Sequence, residues 1–343
     1  MRLRLCLVML WLIPGSVHAI TFRELLQDTP KPKEITYKQV GADSINLYVF
    51  APDDLKSCDK RAALVWIHGG AWVGGNADVF FLHAHYSASR GAVGVSINYR
   101  LLAPRGSAIN DFLMDCKSAI RYLRSHAAQL DIDPQKIVVL GDSAGGHLAA
   151  ALGTVEGFDD SADDLSVSAK PNAVVLYNPI VDMTDAAWVK FVIAGAALEK
   201  SPPPGALVPM PAHLELARQL SPLFAVGPNQ PPTLLMHGLA DTVVVPEQAR
   251  RFEAAMKQAG NRCDLVLLDG ARHAFVIAGY TASEERVVNT IRTIDAFLAS
   301  LGLLSGQPTL QVGQEPAWPE RKTGGTPSTR PATRAASLPK AVQ

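Results

Sequence analysis

An excess of either charge is missing from this chain: its 343 residues carry 32 Lys and Arg against 32 Asp and Glu, a formal net charge of zero. The charges are unevenly placed. Arg2 and Arg4 stand near the start, and Arg321, Lys322, Arg330, Arg334 and Lys340 near the end, where only Glu315 and Glu320 oppose them. The body between them holds 25 basic and 30 acidic residues. A balance of about −5 gives no electrostatic footprint for nucleic acid, so no nucleic-acid partner is expected.

Cysteine is equally scarce. Of the four, Cys6 lies in the apolar start, and Cys58, Cys116 and Cys263 can form at most one disulfide, so no disulfide framework holds the fold. Neither His-Glu-x-x-His nor paired Cys-x-x-Cys occurs, and His83 and His85, two apart, diverge on a helix. Zinc is therefore not expected. A G-x-G-x-x-G turn after the first strands and a P-loop lysine are also missing, which argues against nucleotide binding. No metal and no organic cofactor is expected.

An apolar run long enough to span a bilayer is lacking too. The run 5–13 is too short. It follows Arg2 and Arg4 and precedes Pro14-Gly15-Ser16-Val17-His18-Ala19, whose small residues suit cleavage after Ala19. Residues 1–19 read as a signal peptide. The mature protein is then exported, periplasmic or secreted, with no stable membrane span.

What is present is enough apolar sequence, 48% of residues, to bury a sizeable core. Residues 35–40 and 45–51 read as an opening antiparallel pair, followed by strands at 62–67, 92–98, 137–141, 173–177, 233–237 and 264–268. Helical patterns fill the gaps at 78–90, 107–130, 144–154, 246–259 and 284–302. Eight strands alternating with five helices specify an α/β domain over 20–305, mostly parallel, with right-handed crossovers.

An irregular stretch at about 182–230, after the strand ending at Tyr177, is placed to cap the carboxyl edge of the sheet. Its Trp188, Phe191, Val192 and Ile193 either line a pocket there or pack the cap on the body. Residues 306–343, rich in Pro, Gly, Thr, Ser and basic side chains, read as a disordered tail.

The chemistry concentrates at Gly141-Asp142-Ser143-Ala144-Gly145. It follows the apolar run Ile137-Val138-Val139-Leu140 and opens the helix-like 146–152. Strand, sharp turn and helix with a serine at the apex describe a nucleophile elbow, which pushes the hydroxyl out at the end of a strand. His68-Gly69-Gly70-Ala71-Trp72 follows the strand 62–67. Its glycine N–H groups, with that of Ala144 at the start of the next helix, suit an oxyanion. Taken alone, His-Gly-Gly equally fits a loop of permissive residues.

A base and an orienting carboxylate are still needed. Asp241 follows the strand Thr233-Leu234-Leu235-Met236-His237, and His273 follows the strand 264–268, so both lie in loops at the edge where Ser143 lies. Ser143, Asp241, His273 is the chain order of an α/β-hydrolase triad. Other candidates read as structural: His147 sits on the elbow helix, His237 bonds backbone or packs while staying the leading backup near the site, and Asp142 braces the loop. Asp111 and Asp115 are solvated or capping.

With these motifs in place the sequence resembles the hormone-sensitive-lipase-like esterases and their BD-FAE-type and acetylesterase-like α/β-hydrolase neighbours, over roughly 35–302. Asn98-Tyr99-Arg100-Leu101 and Ile132-Asp133-Pro134 are similar to segments of these families. The chain departs from them at Leu102-Ala103-Pro104-Arg105-Gly106-Ser107, where an acidic residue and Phe-Pro-Ala are common. It departs again at Arg272-His273-Ala274-Phe275, where Gly-His-Gly-Phe is common.

The resemblance implies an α/β-hydrolase fold and a serine carboxylesterase with Ser143, Asp241 and His273 catalytic. It also implies Gly69, Gly70 and Ala144 as the oxyanion hole, and Trp72, Trp188 and Phe191 against the substrate. That substrate is a small-molecule or carbohydrate ester with a short acyl chain. Two alternatives stay open: an arylformamidase-like or peptidase-like serine hydrolase, and a non-catalytic binding relative.

Overall fold

A computed structural model describes residues 19–102, 107–197, 211–277 and 279–314. The signal peptide expected at 1–19 lies outside them except for Ala19, as does the tail from 315. A short strand β1 (Ile20–Thr21) runs into α1 (Phe22–Asp28), whose Thr21 and Glu24 form a reciprocal capping box. Then come β2 (Lys33–Val40), β3 (Asp43–Phe50), β4 (Arg61–Ile67), α2 (Phe81–Ser89), β5 (Val93–Ile97), α3 (Ile109–Ser125), β6 (Ile132–Asp142) and α4 (Ala144–Thr154). β7 (Ala173–Tyr177) leads to α5 (Ala186–Ala197) and α6 (Pro211–Gln219). The chain finishes with β8 (Thr233–Gly238), α7 (Pro246–Gln258), β9 (Cys263–Leu268), α8 (Glu284–Ser300) and β10 (Leu310–Gln311).

The main sheet has eight strands in the order β2-β3-β5-β4-β6-β7-β8-β9. β3 pairs antiparallel with both β2 and β5, and the remaining pairs are parallel. From β4 the chain goes one way to β5 and then returns to lay β6 on the other side of β4. The carboxyl ends of β4 and β6 therefore flank the switch point at which open α/β sheets build sites.

Alternation along the strands sorts the core. Val138 and Leu140 of β6 join Leu64, Trp66, Val175 and Met236 under α2 and α8, whereas Ile137 and Val139 join Val65, Ile67 and Leu176 under α3, α4 and α7. Both faces are covered, so the strands read as continuous apolar runs. Each large side chain so buried contributes roughly 1.5–3 kcal/mol. Gly94 of β5 has a steric reason: a Cβ there would stand 1.9 Å from the Ala84 carbonyl of α2.

Several expectations need correction. The helix expected at 78–90 begins as a 3-10 turn, Ala77–Phe80, before α2. The helix expected to reach 130 stops at Ser125, and Asp131, with φ 54°, turns the chain into a β6 that starts at Ile132. Asp111 does cap α3, accepting from the Ala108 N–H at 2.8 Å. Asp115 is fully buried instead of solvated. It accepts from Arg100 Nε and Nη2, both at 2.8 Å, and pairs with Lys38 at 3.0 Å.

The tail boundary at 306 also moves. β10 pairs in parallel with β1, Ile20 opposite Leu310, and Leu310 is buried among Phe22, Leu25, Leu82, Tyr86, Val287, Val288 and Ile291. A two-residue strand carries no periodicity, so only its distant partner reveals it. Among the described residues no helix is long and apolar enough to cross a membrane.

Candidate active site

The elbow is built by crowding. A Cβ on Gly141 would lie 2.2 Å from the Gly145 carbonyl, and one on Gly145 would lie 2.1 Å from the Ile67 carbonyl. Only glycine at both positions lets α4 start this close to β6 and β4. Ser143 itself sits at φ 55°, ψ −118°, a sparsely populated region for a residue with a side chain. Its N–H is held by the Tyr177 carbonyl at 3.0 Å, and the residue as a whole is 9% exposed.

Asp241 and His273 arrive on the loops after β8 and β9. The β9 loop folds back across the end of β8, where Ala240 N–H meets the Ala271 carbonyl at 2.9 Å. A Cβ on Gly238 would stand 2.2 Å from that carbonyl. The crossing brings His273 Nδ1 to 2.7 Å from Asp241 Oδ2 and Nε2 to 2.9 Å from Ser143 Oγ.

Asp241 Oδ1 accepts from the N–H groups of Val243 and Val244 at 2.8 and 3.0 Å. Burial alone would raise the Asp241 pKa. Hydrogen bonds from His237 and His273, the charge of His273 and the Val244 N–H outweigh it and hold the carboxyl well below its usual range. With Asp241 ionised, Nδ1 of His273 carries the hydrogen and Nε2 is free to accept from the serine hydroxyl.

The loop after β4 closes over the same point. A Cβ on Gly69 would lie 2.8 Å from the Asp142 carbonyl and 3.1 Å from Ser143 Cβ, so this backbone rests directly against the elbow. Gly70, Ala71 and Trp72 all have positive φ, at 119°, 52° and 59°. The His68 ring stacks on Tyr99 with 4.4 Å between centroids, and the Tyr99 hydroxyl donates to the His68 carbonyl at 2.8 Å. Arg100, clamped by Asp115, anchors that tyrosine's segment. The N–H groups of Gly69, Gly70 and Ala144 find no backbone acceptor among the described residues.

Trp72 is placed differently from the expectation that it touches substrate. It is fully buried, with Trp188 at 6.2 Å, Phe191 at 5.3 Å and His147 at 5.3 Å between ring centroids. It supports the loop from beneath. Trp188, Val192 and Ile193 join the main core and seat α5 on the body, while Phe191 stays partly exposed beside them. The prolines expected in the cap at 202–204 and 209 lie outside the described residues.

The two other histidines nearest the triad are held by backbone carbonyls. His147 Nε2 lies 2.8 Å from the Leu220 carbonyl, and His237 Nε2 lies 2.8 Å from the Val244 carbonyl and 3.4 Å from Asp241 Oδ2. No cluster of three or more metal-binding side chains occurs among the described residues, and Cys58, Cys116 and Cys263 are free thiols. Sequence reading missed Asn178. The available signal was a polar residue directly after β7, the strand beside the elbow strand.

A family model described as BD-FAE matches residues 47–256. The chain is 27% identical to the probable carboxylic ester hydrolase LipM of Mycobacterium tuberculosis, covering 88% of this chain and 67% of that protein. It is 30% identical to esterase LipQ of the same organism, covering 73% and 58%. It thus spans from just over half to two thirds of these relatives' length. Among solved structures, Thermogutta terrifontis esterase 2 with propionate bound superposes with a TM-score of 0.71 at 34% identity, covering 82% of this chain and 98% of that one. By sequence and by fold, the chain belongs to the BD-FAE family, as an α/β-hydrolase of the carboxylic ester hydrolase type.

Proposed function

We propose that the chain is a serine carboxylesterase for short-chain acyl esters. The observation that carries this reading is the continuous pair of hydrogen bonds from Ser143 through His273 to Asp241, with the serine on a strained turn. His273 Nε2 takes the hydroxyl proton as Ser143 Oγ attacks the ester carbonyl. Asp241 holds the tautomer and stabilises the imidazolium that forms. The N–H groups of Gly69, Gly70 and Ala144 receive the oxyanion, each being worth about two to three orders of magnitude in rate. His273 then protonates the leaving alcohol, and a water activated by the same nitrogen releases the acid.

The short acyl preference draws support from the structural neighbour, whose solved forms include propionate- and butyrate-bound states. Phe191, partly exposed beside the buried Trp188, is the apolar side chain we assign to the acyl or alcohol group. Export follows from residues 1–19, with cleavage after Ala19 leaving Ile20 to open β1.

The test is hydrolysis of p-nitrophenyl acetate, butyrate and octanoate by residues 20–343 beside Ser143→Ala, followed by acetylated xylan. The expected result is activity that falls with chain length and vanishes in the variant, and acetate release from xylan would extend it to carbohydrate esters. Activity surviving in Ser143→Ala would remove the nucleophile, and activity on p-nitroanilides alone would favour an amide hydrolase.

A further inference from the structure

Asn178 follows β7 directly, is fully buried and has a φ of 35°, unusual for a residue other than glycine. Its N–H donates to the Met236 carbonyl at 2.9 Å, which pins it between β7 and β8. The side chain then faces two ways. Nδ2 donates to Asp142 Oδ1 at 2.9 Å, and Oδ1 accepts from the Ala274 N–H at 3.2 Å. Asp142 immediately precedes Ser143, and Ala274 immediately follows His273.

Both neighbours need holding. Ala274 sits at φ 59°, in the left-handed region that a Cβ disfavours, so the loop carrying His273 gains by relaxing unless its N–H is fixed. Asp142 belongs to the strained elbow and also lies against the oxyanion loop, where a Cβ on Gly69 would stand 2.8 Å from its Oδ2. One carboxamide therefore joins the nucleophile's turn to the base's loop. Aspartate lacks the donor for Asp142, and leucine of the same shape lacks both groups.

We propose that Asn178 is a positioning residue that sets the Ser143–His273 geometry by bridging Asp142 to Ala274. It touches neither substrate nor the reacting atoms, and its role rests on the reading of Ser143 and His273 as nucleophile and base. A displacement of about 1 Å at such a pair costs on the order of a hundredfold in rate.

The experiment compares kcat and KM on p-nitrophenyl acetate for wild type, Asn178→Ala, Asn178→Asp, and Asn178→Asp combined with Asp142→Asn. Rates are normalised to sites titrated with paraoxon. Asn178→Ala is expected to lower kcat about ten- to a hundredfold with KM within about twofold. Asn178→Asp sets two carboxylates face to face and loses at least as much. Adding Asp142→Asn reverses donor and acceptor across the same gap, leaves an oxygen for the Ala274 N–H, and should recover about tenfold or more.

A contribution to stability alone would leave kcat per titrated site unchanged, and that result overturns the proposal. So does a double variant no faster than Asn178→Asp, a comparison that stands even if Asn178→Ala does not fold. Ser143→Ala separates the two readings. If it retains activity the nucleophile is wrong. If it is inactive while the Asn178 variants match wild type, only the bridge is wrong.

Discussion

The indole of Trp72 meets the imidazole of His147 edge to face, with 5.3 Å between centroids and 85° between planes. The two residues come from the loop after β4 and from α4, so the contact fixes the N–H groups of Gly69 and Gly70 relative to the helix that opens at Ser143. Trp188 and Phe191 press on the same indole from α5. Trp72→Ala should therefore destabilise by about 3–5 kcal/mol through the cavity alone and lower kcat in the protein that still folds. Chemical denaturation and steady-state kinetics check it, and an unaltered kcat would detach the aromatic cluster from the oxyanion loop.

Asp241→Asn should keep the fold and lower kcat by roughly four orders of magnitude. The amide can donate to Nδ1 of His273 and so favours the tautomer whose Nε2–H cannot accept the serine proton. KM should change little. A loss smaller than tenfold would show that His273 does not depend on this carboxylate.

Acid should weaken the protein in a window set by buried histidines. Burial lowers both His83 and His147 from 6.5 to about 4, outweighing their backbone hydrogen bonds, which act the other way. Between those values the unfolded chain binds protons that the folded one refuses, so stability falls as pH drops from about 6.5 towards 4. Each histidine accounts for on the order of 3 kcal/mol. Melting temperature should decline over this range, and less steeply in His147→Gln. An identical slope in that variant would refute the assignment.

Glycine substitutions separate crowding from backbone strain. Gly145→Ala drives a methyl to 2.1 Å from the Ile67 carbonyl and should cost about 3 kcal/mol or more, or abolish soluble protein. At Gly157 a Cβ meets nothing within 4 Å, and only the φ of 70° opposes it, so Gly157→Ala should cost about 1–2 kcal/mol. Equal losses would contradict the packing account of the elbow.

Leu310→Ala should lower stability by about 2–3 kcal/mol without changing kcat/KM, because its cluster with Phe22, Leu25 and Tyr86 contains none of Ser143, Asp241 and His273. A matched loss of activity would tie the β1–β10 pair to the site.

The order and type of the main elements are local properties, and the chain declares them. Val138 and Leu140 alternate with Ile137 and Val139, Gly141 and Gly145 bracket Ser143, and strands 173–177 and 233–237 stand out as apolar runs between polar stretches. The same local signals mark Asp241 and His273 as loop residues after strands. What the sequence determines by itself is therefore the strands and helices in chain order, the elbow and the residue types that follow the strand ends.

Distances between those residues are not local. The 2.7 and 2.9 Å contacts of His273 require a β9 loop that crosses Gly238, and that crossing depends on strand order. Asp115 looks like any acidic residue on an amphipathic helix until Arg100 and Lys38 arrive from other elements to desolvate it together. Trp72 looks like a pocket aromatic until α5 covers it. Asn178 and Leu310 acquire their meaning from partners 96 and 290 positions away. Tertiary structure decided these, because burial and hydrogen-bond partnership are set by which segments meet in space.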